Sequence, residues 1–179
     1  HLSDRRQRQM CIRDRFKGDT VNMGVGQGYL VSTPIQLAKY AYILANKGKY
    51  KDLSLKKELV KNEKNVQFDK FTNDDWFKLH ESMINVVEGN TGTARRLKDK
   101  KSYLVAAKTG TAELVSGDNR EQYVETRLDD NLRDHALIIA FGPMPNPRYA
   151  VSVVVENGES GGSVAGPVAI SVLNSLLQE

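Results

Sequence analysis

The apolar positions of the chain fall into two helical stretches, three extended ones and a closing helix. Leu37, Ala38, Ala41, Leu44 and Ala45 recur at the i, i+3, i+4, i+7 spacing that puts them on one helix face. Ahead of them Thr33 can cap, Pro34 suits the first helical position and Gln36 completes a capping box. A helix is predicted from there to Lys47, with Gly48 as its left-handed stop. A second helix is predicted after Thr72, with Asp74 and Asp75 in its first turn, where the helix dipole favours negative charge. It turns Trp76, Leu79, Met83, Ile84 and Val87 inward and ends before Gly89. Between the two, Lys49 to Lys70 is lysine-rich with scattered apolar residues, which suits short strands or an exposed hairpin.

The extended runs come next. Leu104 to Ala107 is short and leads into Lys108-Thr109-Gly110-Thr111-Ala112. Ala136 to Phe141 and Tyr149 to Val155 are apolar on both alternating faces, the pattern of strands in a sheet covered on both sides. The Pro-rich link from Gly142 to Pro147 makes these two an antiparallel pair. From Val164 to Leu177 the chain is predicted helical and packed on that sheet through Val168, Ala169, Val172, Leu173, Leu176 and Leu177. This order of elements reads as an α+β fold.

The length of 179 residues suits one domain or part of one. The net charge of +4 narrows once its position is considered. Residues 1–15 hold five arginines and two aspartates, which leaves 21 basic and 20 acidic side chains in the rest. A nearly neutral body gives no support for nucleic-acid binding. Cys11, the single cysteine, lies in the same opening stretch, so the body has no thiol for a disulfide, a metal or a nucleophile. No run of eighteen apolar residues and no signal-peptide core is present, so an export element or membrane anchor is expected upstream. Residues 1–15 show no periodicity and resemble translated sequencing adaptor. They are expected to be non-native, with 16–179 as the folded part.

The chemistry centres on Lys108-Thr109-Gly110-Thr111. A strand can present a cation, two hydroxyls and a backbone N–H to one cleft, with the glycine permitting close approach. Around it stand Gly18-Asp19-Thr20, Gly24-Val25-Gly26-Gln27-Gly28-Tyr29, Thr33-Pro34-Ile35-Gln36-Leu37-Ala38, Asn90-Thr91-Gly92-Thr93-Ala94, Arg133-Asp134-His135-Ala136, Ala140-Phe141-Gly142-Pro143 and Val155-Glu156-Asn157-Gly158. Together these resemble the C-terminal half of the transpeptidase domain of class B penicillin-binding proteins, of the elongation-specific type, over residues 16 to 179. The resemblance implies a serine D,D-transpeptidase that cross-links peptidoglycan and is the target of β-lactams. It implies the antiparallel sheet of the β-lactamase-like fold, with helices on both faces, and an inner-membrane protein with this domain on the periplasmic side.

By the same resemblance, Lys108 supplies charge and joins proton transfer, while Thr109 and Thr111 hold the terminal carboxylate of a D-Ala-D-Ala stem peptide across Gly110. The Thr111 N–H is one oxyanion donor. No cofactor and no metal are implied; partners are a glycosyltransferase and the rod-shape scaffold. The family's Ser-x-x-Lys nucleophile and Ser-x-Asn motif are not found. Ser54-Leu55-Lys56-Lys57 matches the first by letter but sits 54 residues before Lys108, in a charged excursion, and is taken as a decoy. The nucleophile is expected upstream and this segment alone is expected to be inactive. Gly24 to Gly28 lacks the spacing of a nucleotide loop and reads as a turn. His80 and His135 read as hydrogen-bonded structural histidines. Two rival readings share the fold, a non-catalytic β-lactam sensor and a serine β-lactamase or D,D-carboxypeptidase. In the family's fold the Tyr149 strand also pairs with a strand from the start of the domain. Its β-branched edge is therefore expected to aggregate here, and a lysine at Val153 to relieve this in the segment while damaging the intact domain.

Overall fold

The computed structural model describes residues 17–27, 31–54, 63–66, 71–114 and 133–178. The opening stretch 1–15 lies outside them. The chain divides into two units, residues 1–32 and 33–179. In the first, α1 (Lys17–Gly24) is a helix the hydrophobic pattern did not announce. A turn follows it, in which Gly26 takes a φ of 81°.

In the second unit, α2 (Pro34–Ala45) begins on the expected box: Gln36 N donates to Thr33 Oγ1 at 3.4 Å and Thr33 N to Gln36 Oε1 at 2.9 Å. It stops two residues short of Lys47, where Lys47 and Gly48 turn left-handed at φ 53° and 90°. Strands β1 (Lys49–Lys51) and β2 (Glu63–Asn65) form the expected hairpin. Asp52 ties it to α2, bonded to Lys64 and, at 3.3 Å, to Lys39. These two bonds, the Lys64 one foremost, hold its carboxyl below the ordinary carboxylate range. Helix α3 (Asn73–Glu88) follows Thr72, and Asp75 closes a second capping box, with Thr72 N donating to its carboxylate at 2.7 Å. Trp76, His80, Met83 and Val87 are its buried stripe.

Strands β3 (Ala106–Ala112), β4 (His135–Gly142) and β5 (Tyr149–Val155) form an antiparallel sheet in the order β3-β4-β5. Alternation sorts their side chains to two cores. Ala106, Phe141, Ile139 and Ala150 meet Leu44, Trp76 and Met83 of α2 and α3. Ala107, Ala136, Ile138, Ala140 and the valines at 151, 153 and 155 meet Ala165, Ala169, Ile170 and Leu173 on the other face. Ala107, Ala136, Ala140, Ala165 and Ala169 are small, so α4 (Gly166–Gln178) can lie close against the sheet. Helices cover both faces of an α+β fold, as the sequence pattern implied.

Two boundaries differ from expectation. β3 begins at Ala106, two residues inside the apolar run from Leu104, and carries Lys108 to Ala112 as strand by pairing them with Ile139 to His135. A wide helical turn at Gly161–Ala165 precedes α4, which then buries Ala169, Ile170 and Leu173. Val168 and Val172, expected to pack on the sheet, are 46% and 40% exposed. The buried stripe of α4 is instead Gly166, Ala169, Ile170 and Leu173, which leaves the two valines to one side of it.

Candidate active-site strand

β3 emerges from the core where its chemistry begins. Ala106 and Ala107 are buried on opposite faces, then Lys108 is exposed and Thr109 to Thr111 lie at or near the surface. Within a strand, Lys108 and Gly110 share the face of α2 and α3, whereas Thr109 and Thr111 share the face of α4. Lys108 Nζ donates to the Thr109 carbonyl at 2.6 Å. Thr109 Oγ1 lies 2.8 Å from Thr93 Oγ1, so a hydroxyl from the loop after α3 joins the strand. Among the described residues β3 is an outer strand of its sheet, with β4 on one side.

Two glycines on and beside this strand differ in what surrounds them. A Cβ on Gly110 would meet only Leu137 Cβ, at 3.4 Å. A Cβ on Gly161 would stand 2.2 Å from the Leu137 carbonyl oxygen and 2.7 Å from that of Gly110, distances no side chain tolerates. The turn before α4 therefore seats its backbone directly on the backbone of β3 and β4. Gly161 carried no sequence signal beyond a Gly-Gly pair ahead of an apolar helix. Thr93 stood within a resembling block but had no role attached to it.

Two of the resembling blocks brace this seat. Asn157 N donates to His135 Nδ1 at 3.0 Å, Asn157 Nδ2 to the Arg133 carbonyl at 2.9 Å, and Glu159 N to the Asp134 carbonyl at 2.8 Å. Arg133 Nε stands 3.7 Å from Glu159. Leu114 N, just past β3, donates to Asp134 Oδ1 at 3.4 Å. The Arg-Asp-His start of β4 thus fastens both the end of β3 and the turn after β5 that leads to Gly161. His135 is a hydrogen-bonded structural residue. His80 is another, buried with Nε2 donating to the Leu44 carbonyl at 2.8 Å and its ring edge-on to Phe141.

The approach to β3 is anchored as well. Lys101, with its side chain only 2% exposed, pairs with Glu88 at the end of α3 and donates to the Tyr103 carbonyl at 2.8 Å. Tyr103 in turn donates to Asn174 Oδ1 of α4 at 2.8 Å, and burial pushes its hydroxyl pKa upward. These contacts fix the short 3₁₀ helix Arg95–Lys100 between the two helices. Ser54 is exposed beside the β1–β2 hairpin, and Leu55, Lys56 and Lys57 of the decoy motif lie outside the described residues.

Comparison with known proteins agrees with this arrangement. The peptidoglycan D,D-transpeptidase MrdA of Haemophilus influenzae is 35% identical over 175 residues, covering 93% of this chain and 27% of that protein. The chain therefore spans about a quarter of the length of the curated relatives it matches. Pseudomonas aeruginosa PBP2, solved in complex with WCK 5153, superposes with a TM-score of 0.76 at 33% identity, over 97% of this chain and 37% of that one. Helicobacter pylori PBP2, solved in complex with MreC, gives 0.74 at 28% identity, over 92% of this chain and 29% of that one. Residues 5–174 match the penicillin binding protein transpeptidase domain, and the chain belongs to that family.

Proposed function

We propose that the full-length protein is a peptidoglycan D,D-transpeptidase of the elongation type, with residues 16–179 as the C-terminal part of its catalytic domain. A serine from the preceding part of the domain attacks the D-Ala-D-Ala peptide bond, D-Ala leaves, and an amine of a second stem peptide takes the acyl group. Lys108 places positive charge beside that serine and takes part in moving its proton. Thr109 and Thr111, on one face of β3, hold the terminal carboxylate. The Thr111 N–H supplies one oxyanion donor. The observation that carries this reading is the emergence of Lys108-Thr109-Gly110-Thr111 from the core as the outer strand of the sheet, with Thr93 bonded to Thr109.

The protein is placed at the inner membrane with this domain in the periplasm, its anchor upstream; no described helix is long and apolar enough to cross a membrane. Partners of the rod-shape machinery and a polymerising glycosyltransferase fit the reading, supported by the relative solved with MreC. Fluorescent penicillin followed by a denaturing gel tests it: the full-length protein is expected to label and this segment alone is not. An adduct on the segment that Ser54→Ala abolishes would place the nucleophile at Ser54 and overturn the division of the site between two parts of the chain.

A further inference from the structure

A cavity of about 240 Å³ opens beside β3, lined by Thr93, Arg95, Arg96, Ser160, Gly162 and Ser163. It is separate from the Lys108 face of the strand. Thr93, on its wall, is the residue bonded to Thr109 at 2.8 Å, so the cavity adjoins the strand face that carries Thr109 and Thr111. Its lining is cationic and hydroxylic and holds no carboxylate. Two acids of the elements around it are engaged elsewhere: Glu88 pairs with Lys101 and Lys98, and Glu159 with Arg133. Among the described residues Arg95 and Arg96 have no ion-pair partner, which leaves two guanidinium forks available to an anion.

The walls are built rather than incidental. A Cβ on Gly162 would stand 2.3 Å from the Thr93 carbonyl oxygen, so the two walls touch through backbone. Leu97, one residue past the arginines, is 1% exposed and pins their 3₁₀ helix into the core. Ser160 accepts from Ser163 N at 3.3 Å and fixes the third wall.

Resting on the proposed function, we infer that this cavity is the subsite that takes a carboxylate of the acceptor peptide. In acylation, the leaving amine belongs to the residue whose carboxylate rests on Thr109 and Thr111. The acceptor amine attacks the same acyl carbonyl along the path that amine vacated. Its C–N bond forms, the serine C–O bond breaks, and the amine proton ends on the serine oxygen. The remainder of the acceptor then lies on the Thr109 side, where the cavity opens. The cavity is larger than one carboxylate needs, so it suits a side-chain or backbone segment that ends in one.

The test uses the full-length protein and a pair of synthetic acceptor peptides that differ only in a carboxylate or its amide. Two readouts are taken: equilibrium binding of each peptide, and the ratio of aminolysis to hydrolysis with a thioester donor. The wild-type protein is expected to prefer the carboxylate peptide in both. The Arg95→Gln/Arg96→Gln pair should lower that preference at least about tenfold, the scale of losing a charge-assisted hydrogen bond. The Arg95→Lys/Arg96→Lys pair keeps charge without the fork and should lose less; it also decides the matter if the glutamine pair fails to fold. Equal behaviour of the two acceptors in the wild-type protein overturns the subsite. So does a carboxylate preference that survives the glutamine pair, or one that shows up instead in acylation by donors with and without an internal carboxylate. A protein that binds the acidic peptide selectively yet is never acylated would sink the proposed function and leave the subsite standing.

Discussion

The two outer strands of the same sheet are built to opposite specifications. β3 reads Ala-Ala-Lys-Thr-Gly-Thr-Ala and β5 reads Tyr-Ala-Val-Ser-Val-Val-Val. β3 sinks two alanines into the core and then presents polar groups, bonded on its α4 face to Thr93. It is also overlaid by the Gly161 backbone. β5 is half-buried along its whole length, with valines to one core and Ser152 bonded to the Pro34 carbonyl at 2.7 Å on the other side. Its outer side has no strand among the described residues. An uncharged β-branched edge is a template for another strand. One edge presents polar groups, and is the one the proposed function assigns to a ligand; the other presents an uncharged apolar rim.

The largest effect should come from breaking the seat on β3. Gly161→Ala drives a methyl into the carbonyl oxygens of Leu137 and Gly110, and backbone cannot yield as a flexible side chain would. About 3 kcal/mol of stability should be lost, read as a fall in thermal midpoint of the full-length protein, together with slower penicillin acylation because β3 must move. Ala at Gly158, where a Cβ would meet Ala136 and Val155 side chains at 3.0 Å, should cost less. Equal tolerance of both substitutions would show that the turn does not hold the strand.

Next comes the chemistry of the same edge. Lys108→Ala in the full-length protein should slow acylation by fluorescent penicillin about 100-fold, the scale of losing an acid–base or electrostatic group. Its fold should survive, since Lys108 is exposed and its hydrogen bond is to the adjacent carbonyl. Near-normal labelling would remove Lys108 from the site.

On the β5 edge, the expected remedy of a lysine at Val153 is corrected by the packing. Val153 lies against the core that includes Leu173 and Ala169, so its side chain is not an outward position on a bare edge. Val153→Lys should cost about 2 kcal/mol through a poorly solvated charge, in this segment as in the intact domain. Soluble yield and light scattering of the segment alone should therefore worsen. A monodisperse, more soluble segment would restore the original expectation.

These contrasts show where the sequence was readable. The Thr33–Gln36 capping box was legible because its hydrogen bonds join residues three apart, whereas at Thr72 the pattern announced a helix start with acids in its first turn but not the Asp75 box. The β4–β5 pair was legible from its apolar runs and short link. That Lys108 to Thr111 lie on a strand was legible from the apolar run ahead of them, but its reach to Ala112 was not, since Lys108 and Gly110 are poor strand formers held extended by pairing with β4 across 22 or more intervening residues. The Gly161 seat, the Thr93 bond and the cavity at Arg95 and Arg96 were hidden for the same reason: each is made by elements distant in sequence, and none has a local periodicity. Residues quoted for resemblance alone, Arg133, Asp134 and Asn157, gained a physical role only when the fold put them in contact.

The smallest expected effect separates the two edges by acid. The helix over the β3 side, α3, is capped through the Asp75 carboxylate, whereas α2, over β5, is capped through the neutral Gln36 amide. The hydrogen bonds from Thr72, its hydroxyl first and then its backbone N–H, hold the Asp75 pKa below its ordinary value of 3.8. A carboxyl with a depressed folded pKa contributes stability that is fully present above the unfolded value and is lost as pH falls through the folded one. Acidification below about pH 4 should thus loosen the first turn of α3 while leaving that of α2 in place. Hydrogen exchange at the amides of Asp75, Trp76 and Phe77 should quicken relative to those of Gln36, Leu37 and Ala38, after allowance for the intrinsic pH dependence of exchange. Asp75→Asn should abolish the difference by removing the titrating group. Parallel exchange profiles for the two helices in the unsubstituted protein would mean that the Asp75 box adds nothing to the β3 side that Gln36 does not add to the β5 side.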